Sequence, residues 1–247
     1  MKTVMITGCS TGFGFDAAAY FLARDWRVVA TMRTPAKSTL PPHPHLTVLA
    51  LDVTDAASIP AAVEAAGPVD VLINNAGIGL LGAVEGISMP LVREVFETNT
   101  FGTIAMIQAV LPQMRARRAG VIINVTSSVT LLPLPLLAVY TASKAAVNAL
   151  SECLALELEQ FNVRTHIVLP GRAPSTSFGA NARPRMQDTI PPPYAELAAG
   201  VFENFAKSTE PVTYSHDVSD ALWRAATDPA SPLRLPAGAD AVALSRP

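Results

Sequence analysis

The sequence predicts an α/β fold, a doubly wound, mostly parallel sheet of seven strands with helices on both faces. Three observations predict it. Short apolar runs alternate with helical patterns along the whole chain, and such alternation builds parallel strands joined by crossover helices. A glycine-rich turn, Gly8-Cys9-Ser10-Thr11-Gly12-Phe13-Gly14, stands at the first strand-to-helix junction. Half of the 247 residues are apolar and 15% are charged, ample material for one deep core. No repeat, linker or shift of composition divides the chain, so residues 1–247 are expected to form a single domain.

The first strand, Thr3–Thr7, runs into the glycine turn, and a helical pattern follows over Phe15–Arg24. Backbone N–H groups at a helix start, beside glycines that let an anion approach, make a phosphate site. The spacing is G-x-x-x-G-x-G, not the commoner G-x-G-x-x-G; a tight turn without a ligand is the plainer alternative. A second strand, Arg27–Thr31, ends in Met32-Arg33. In a dinucleotide fold an acid at this strand end binds the ribose 2′-hydroxyl of NAD, and an arginine accepts the 2′-phosphate of NADP. Here Arg33 is present, no acid is, and Lys37 is close by; the alternative is a solvated loop arginine.

A proline-rich loop, Pro35–His45, leads to a third strand, Leu46–Leu51, which closes on Asp52-Val53. Asp52 can accept a hydrogen bond from an adenine amino group, or Asp52 or Asp55 can cap a helix over Ala56–Ala66. A fourth strand, Val69–Ile73, ends in Asn74-Asn75-Ala76-Gly77. Paired asparagines there either tie neighbouring loops through their amides or form a polar turn. Ser88 caps a long helix with Pro90 in its first turn and an end near Arg118. Asn99, with Thr100 and Gly102, is poor helix chemistry in its middle, which predicts a kink or a bound water.

Val121–Val125 is the fifth strand, and Ser127 follows it. Tyr140 and Lys144 are four apart, one turn from each other on one helix face. A free tyrosine has a pKa of about 10, and a neighbouring cation favours its phenolate. Such a phenol can pass a proton to or from a substrate oxygen. A strand-end serine facing a helix-start tyrosine can hold one carbonyl oxygen between two hydroxyls. The bland alternative is a surface tyrosine and a solvated lysine. The helix over Thr141–Phe161 carries Val147, Leu150, Leu154 and Leu158 at helical spacing, a core or partner face.

Val163–Leu169 is the sixth strand, followed by Pro170-Gly171. Arg172–Pro193 holds five prolines and no periodicity, the character of a lid or binding loop. With a short helix over Tyr194–Lys207 it makes a substrate loop of about residues 171–210. Ser215 or Asp217 starts a last helix through Thr227. Pro229–Pro236 is turn-rich, and Asp240–Leu244 is expected to be a final short strand ending in Ser245-Arg246-Pro247.

A net charge of −2 offers no footprint for nucleic acid. Cys9 and Cys153 are isolated thiols, which points to a reducing compartment and no disulfide. No signal peptide is expected, since Met1-Lys2 leads straight into the first strand. The uncharged stretch Val121–Ser143 contains Asn124, Thr126, Ser127, Ser128, Pro133 and Pro135, which argues for a pocket wall over a membrane span. The expectation is a cytoplasmic protein with no metal site.

Taken together, these motifs resemble the short-chain dehydrogenase/reductase family along essentially the whole chain. Thr7-Gly8-x-x-x-Gly12-x-Gly14 is similar to its cofactor loop, Asn74-Asn75-Ala76-Gly77 to its sheet-stabilising motif, and Pro170-Gly171 to its motif beside the nicotinamide. The tail Ser231–Ala241 is similar to the branch of retinol- and hydroxysteroid-type enzymes. The resemblance implies a Rossmann fold with Asn99, Ser127, Tyr140 and Lys144 as catalytic residues. It implies cofactor contacts from Gly8, Ser10, Thr11, Gly12, Phe13, Gly14, Arg33, Asp52, Val53, Asn75, Ala76, Gly77, Tyr140, Lys144, Pro170, Gly171 and Ser175. Two places depart from the pattern. Ser175 stands where a threonine is usual, with Thr176 next, and either hydroxyl can serve. Val129-Thr130-Leu131 stands where a glycine is common.

The function implied is an NADPH-dependent carbonyl reductase, or alcohol dehydrogenase, acting on an apolar ketone, aldehyde or secondary alcohol. NADP(H) is expected over NAD(H). In that reading Lys144 holds the nicotinamide ribose and lowers the Tyr140 pKa, and Asn99 fixes a water. Leu131–Leu137 and the loop after Gly171 line the pocket. The alternatives are a non-catalytic NADPH-binding regulator and an NAD-linked hydroxysteroid- or retinol-type dehydrogenase. Any self-association is expected to be a homodimer through the Asn99 and Tyr140 helices.

Overall fold

The computed structural model describes Met1–Ser245. Seven strands form one sheet: β1 (Thr3–Ile6), β2 (Arg27–Met32), β3 (Leu46–Ala50), β4 (Val71–Asn74), β5 (Gly120–Val125), β6 (Val163–Pro170) and β7 (Arg234–Ala237). Their spatial order is β3-β2-β1-β4-β5-β6-β7, and every pairing is parallel. The chain winds outward from β1 to β3, then returns to start again beside β1 at β4. The crevice between β1 and β4 is therefore the topological switch point, where open α/β sheets bind ligands.

The helices are α1 (Gly12–Leu22), α2 (Ser58–Ala66), α3 (Met89–Phe96), α4 (Gly102–Arg117), α5 (Ala138–Glu159), α6 (Phe178–Ala182), α7 (Ala195–Lys207), α8 (Ser215–Thr227) and α9 (Ala239–Leu244). Side chains alternate across the sheet with the strand period of two. Val4, Ile6, Ile73 and Ile123 face one core with α1 and α8. Met5, Leu72 and Ile122 face the other with α2, α4 and α5. Both faces are covered, which is why these strands read as near-continuous apolar runs. On the first face the ring of Phe21 lies 5.3 Å from both Trp26 and Trp223, pinning α1 to α8.

Three sequence expectations change here. The long helix after Ser88 is two helices, α3 and α4, joined by a π-type turn over Glu97–Phe101. The kink predicted at Asn99 is this turn. Neither Asp52 nor Asp55 caps α2, which starts later, at Ser58, on an uncapped Ala57. Asp52 Oδ1 instead accepts from the Thr54 N–H and hydroxyl at 2.9 and 2.7 Å, and Asp55 Oδ1 from the Ala57 N–H.

The third change is at the chain end. The last strand is Arg234–Ala237, inside the segment read as turn-rich, and Ala239–Leu244 is a helix. Leu235 and Ala237 are buried at a spacing of two and pair with Val168 and Pro170. Gly238 then turns the chain at φ +99°, and the alanine-rich run beyond it favours a helix. Arg246 and Pro247, expected to close that strand, lie outside the described residues. No helix among the described residues is long and apolar enough to cross a membrane.

Candidate active site

Every strand from β1 to β6 delivers a predicted site residue at its carboxyl end, so the residues converge on one edge of the sheet. After β1 the chain turns through Gly8 and Gly12, both at positive φ, into α1. A side chain at Gly8 would stand 2.9 Å from Ala76 Cα, so the loop after β1 packs directly on the loop after β4. Asn75 stitches the two: its Nδ2 donates to the carbonyl oxygens of Thr7 and Gly8 at 2.9 and 3.2 Å. Thr7 Oγ1 accepts in return from the Asn75 and Ala76 N–H groups at 3.0 and 2.9 Å. One residue earlier, Asn74 Nδ2 donates to Asn124 Oδ1, and Asn124 Nδ2 to Ser151 Oγ, at 2.9 and 2.8 Å. The paired asparagines thus tie neighbouring elements rather than form a polar turn.

Among the described residues no side chain caps α1, whose N-cap is Thr11. Its first N–H groups are open toward a loop lined by Ser10 and Thr11, both exposed, and by half-buried Phe13. Arg33 and Lys37 are exposed at the neighbouring strand end. Burial works to raise the Asp52 carboxyl, but the Thr54 N–H and hydroxyl outweigh it, and with the charge of Arg33 they hold it below its ordinary value. Val53 is core: its side chain lies 2.7 Å from where a Cβ on Gly102 would stand, under the start of α4.

The second cluster gathers on α5. Tyr140 and Lys144 are buried, one turn apart, and the Ser127 hydroxyl stands near enough to the Tyr140 phenol to favour its charged form. Lys144 Nζ donates to the Val125 carbonyl at 3.0 Å, and its nitrogen lies 3.2 Å from where a Cβ on Gly77 would be. Asn99 Oδ1 is equally far from that point. The Asn99 amide is spent on the protein: Oδ1 accepts from the Ile78 N–H, and Nδ2 donates to the Ile78 carbonyl and to Ser143 Oγ, at 2.8, 3.0 and 3.0 Å. Ser143 Oγ donates onward to the Tyr140 carbonyl at 2.7 Å. The side chain expected to fix a water therefore braces the Tyr140 turn against the loop after β4.

The loop after β6 closes over this edge. The Cβ of Thr176 lies 3.8 Å from the Cβ position of Gly12, whereas Ser175 is exposed. The Phe178 ring sits 5.8 Å from that of Tyr140, with an edge atom 2.8 Å from where a Gly79 Cβ would be. The loop's two ends meet at Thr213, whose N–H donates to the Arg172 carbonyl at 2.8 Å. Asp240 of α9 locks that neck: Oδ2 accepts from the Arg172 N–H and Oδ1 from the Thr213 hydroxyl, at 2.6 and 2.7 Å. The carboxylate fills the space a side chain on Gly171 would need. A cleft of about 560 Å³ opens between Pro135 and the α7 residues Leu197, Val201 and Asn204.

The family model for short chain dehydrogenases matches residues 2–187. The chain belongs to the short-chain dehydrogenase family. Retinol dehydrogenase 8 of Bos taurus is 42% identical over 183 residues, 69% of this chain and 58% of that protein. The chain thus matches less than two thirds of that relative's length. A short-chain dehydrogenase from Streptomyces avermitilis superposes with a TM-score of 0.85 at 30% identity, over 98% of this chain and 90% of that one. The closed form of serine dehydrogenase complexed with NADP+ does so at 0.82 and 28%, over 96% and 94%. Other solved neighbours hold NADP or NADH.

The site of this short-chain dehydrogenase fits a nicotinamide dinucleotide. The open first turn of α1 suits a pyrophosphate, and the gap left by Gly77 in front of Lys144 suits a hydroxylated ribose. Burial governs the two titrating groups. It pushes the Tyr140 phenol up to about 12, against the lowering hydrogen bond from Ser127, and pushes the Lys144 ammonium down to about 8. The expected lowering of Tyr140 by Lys144 is not found: burial sets the direction, and the serine is the group that works against it. Sequence reasoning missed Ser143, Phe178, Thr213 and Asp240. Only Ser143 left a signal, lying three residues after Tyr140 on the buried helix face.

Proposed function

We propose that this chain is an NADPH-dependent carbonyl reductase, reversible as an alcohol dehydrogenase, acting on apolar ketones, aldehydes or secondary alcohols. The observation that carries the reading is the half-buried Ser127 hydroxyl facing the buried Tyr140 phenol, beside Lys144 at the end of β5. When bound, the dinucleotide supplies the hydride.

The chain's own groups do the rest. The two hydroxyls grip the substrate oxygen, and Tyr140 protonates it. A phenol held near 12 stays protonated throughout the physiological range, which suits a general acid for reduction. Asn99 acts at one remove, through Ser143, by fixing the turn that carries Tyr140. Lys144 holds the ribose, and Ser10, Thr11 and Gly12 the phosphates. Thr176, which faces the glycine loop, is favoured over Ser175 for the nicotinamide contact.

NADP(H) is preferred because Arg33 is exposed at the end of β2, where the 2′-phosphate would lie, and Met32 stands in place of an acid. The apolar substrate class rests on Phe178 beside Tyr140 and on the leucines of Leu131–Leu137. The relative's name, retinol dehydrogenase, supports the same class. NADPH oxidation with a panel of apolar ketones and aldehydes tests the proposal. Turnover of at least one, lost in Ser127→Ala, supports it. NADPH binding without turnover of any would leave the non-catalytic regulator.

A further inference from the structure

We infer that Asn148 is a positioning residue for Ser127, so that α5 fixes both hydroxyls of the proposed pair. The inference rests on the reductase reading for its kinetic meaning. Tyr140, Lys144 and Asn148 are spaced by four along α5 and share one buried face. The first two reach the site directly. Asn148 instead points at the turn after β5, where Nδ2 donates to Thr130 Oγ1 at 2.9 Å.

That bond decides where the Thr130 proton goes. With its oxygen accepting from Asn148, the Thr130 hydroxyl donates to the Ser127 carbonyl at 2.8 Å. The Thr130 N–H donates to the same carbonyl at 3.2 Å. The turn over Ser128–Thr130 is thereby closed on Ser127. Inside it, the Val129 N–H donates to Ser127 Oγ at 3.3 Å, which occupies a lone pair and leaves the hydroxyl proton free to turn toward the site. Ser127 is thus referenced through two side chains to the helix that carries Tyr140.

Asn148 is 5% exposed, and its Oδ1 has no partner among the described residues. A residue kept only for packing would not bury an unpaired amide oxygen there, since an apolar side chain of that size avoids the penalty. The donation to Thr130 is what the amide contributes.

The experiment compares Asn148→Ala, Thr130→Val and Ser127→Ala, and each of the first two combined with the third. It reads ketone reduction, NADPH affinity by fluorescence, and amide hydrogen exchange over residues 126–131. Each of Asn148→Ala and Thr130→Val should lower kcat by ~10- to 100-fold, the scale of a misplaced reacting group, with NADPH affinity unchanged. The Val129 and Thr130 amides should exchange faster while the rest of the sheet does not. Adding either change to Ser127→Ala should cost nothing further, because all act through one hydroxyl.

Additive losses, or exchange at the wild-type rate in both variants, would overturn the inference. An active wild type with a dead Ser127→Ala but fully active Asn148→Ala and Thr130→Val would overturn it and leave the reductase reading intact. A wild type that reduces no carbonyl would remove that reading. Exchange would then decide alone whether Asn148 holds the Ser127 turn.

Discussion

The Lys144 ammonium donates to the Val125 carbonyl at 3.0 Å, and among the described residues it has no other hydrogen-bond partner although it is 95% buried. A cation held that way is costly, and its pKa falls to about 8. Below pH 8 the lysine is charged in both the folded and the unfolded chain, and the burial penalty is paid in full. Between pH 8 and 10.5 the unfolded chain holds the proton more tightly, so stability rises with pH, by on the order of 3 kcal/mol at completion. Above pH 10 the raised Tyr140 works the other way. Denaturant unfolding of the cofactor-free protein from pH 7 to 10, compared with Lys144→Met, isolates the lysine contribution. Wild type should gain stability relative to the variant as pH rises; parallel curves would refute the buried cation.

On the proposed reading, Arg33→Ala should raise the NADPH KM strongly and leave the NADH KM nearly unchanged, because the guanidinium would meet the 2′-phosphate that NADH lacks. Steady-state kinetics with both cofactors check this. A wild type that uses NADH as well as NADPH would show that the exposed arginine sets no preference.

Gly79→Ala should disturb substrate and spare cofactor. The new methyl would meet the Phe178 ring at 2.8 Å and push it off its place beside Tyr140. The expected outcome is a changed ratio of kcat/KM between bulky and small ketones, with NADPH affinity as in wild type. Phe178→Ala should shift the same ratio. An unchanged ratio in both would mean that the ring lies outside the substrate's path.

Asp240→Ala removes the acceptor for the Arg172 N–H and the Thr213 hydroxyl together. The Thr213 hydroxyl can turn to the Ala237 carbonyl at 2.9 Å, but the Arg172 N–H is left unpaired, which should cost about 1–3 kcal/mol, and thermal unfolding measures it. The KM for the ketone should rise, because the neck of the loop over Tyr140 is no longer locked.

The strands and the first glycine loop were legible because their signals are local: apolar runs, glycine spacing, a polar residue at each strand end. The Tyr140, Lys144 and Ser127 cluster was legible for the same reason, since a helix face and a strand end fix their places. The Asp240 latch was not. Its partners, Arg172 and Thr213, are far away in sequence, and no propensity marks a side chain that closes a distant neck. β7 was missed because Arg234–Ala237 is only four residues long with a proline at its third position, so turn chemistry masked an edge strand. Lys144 lies beside Tyr140 on the helix face as read, but the direction of the Tyr140 pKa was not legible, because burial sets it and burial is a tertiary property.

The most direct test of the account is Tyr140→Phe, which keeps the ring and its packing and removes the proton. Steady-state ketone reduction together with a fluorescence titration of NADPH reads both halves of the claim. With Tyr140 as the general acid, kcat should fall by roughly 100-fold or more, while NADPH binds as before on the loop after β1. A Tyr140→Phe protein that reduces its best ketone at near the wild-type rate would contradict the mechanism.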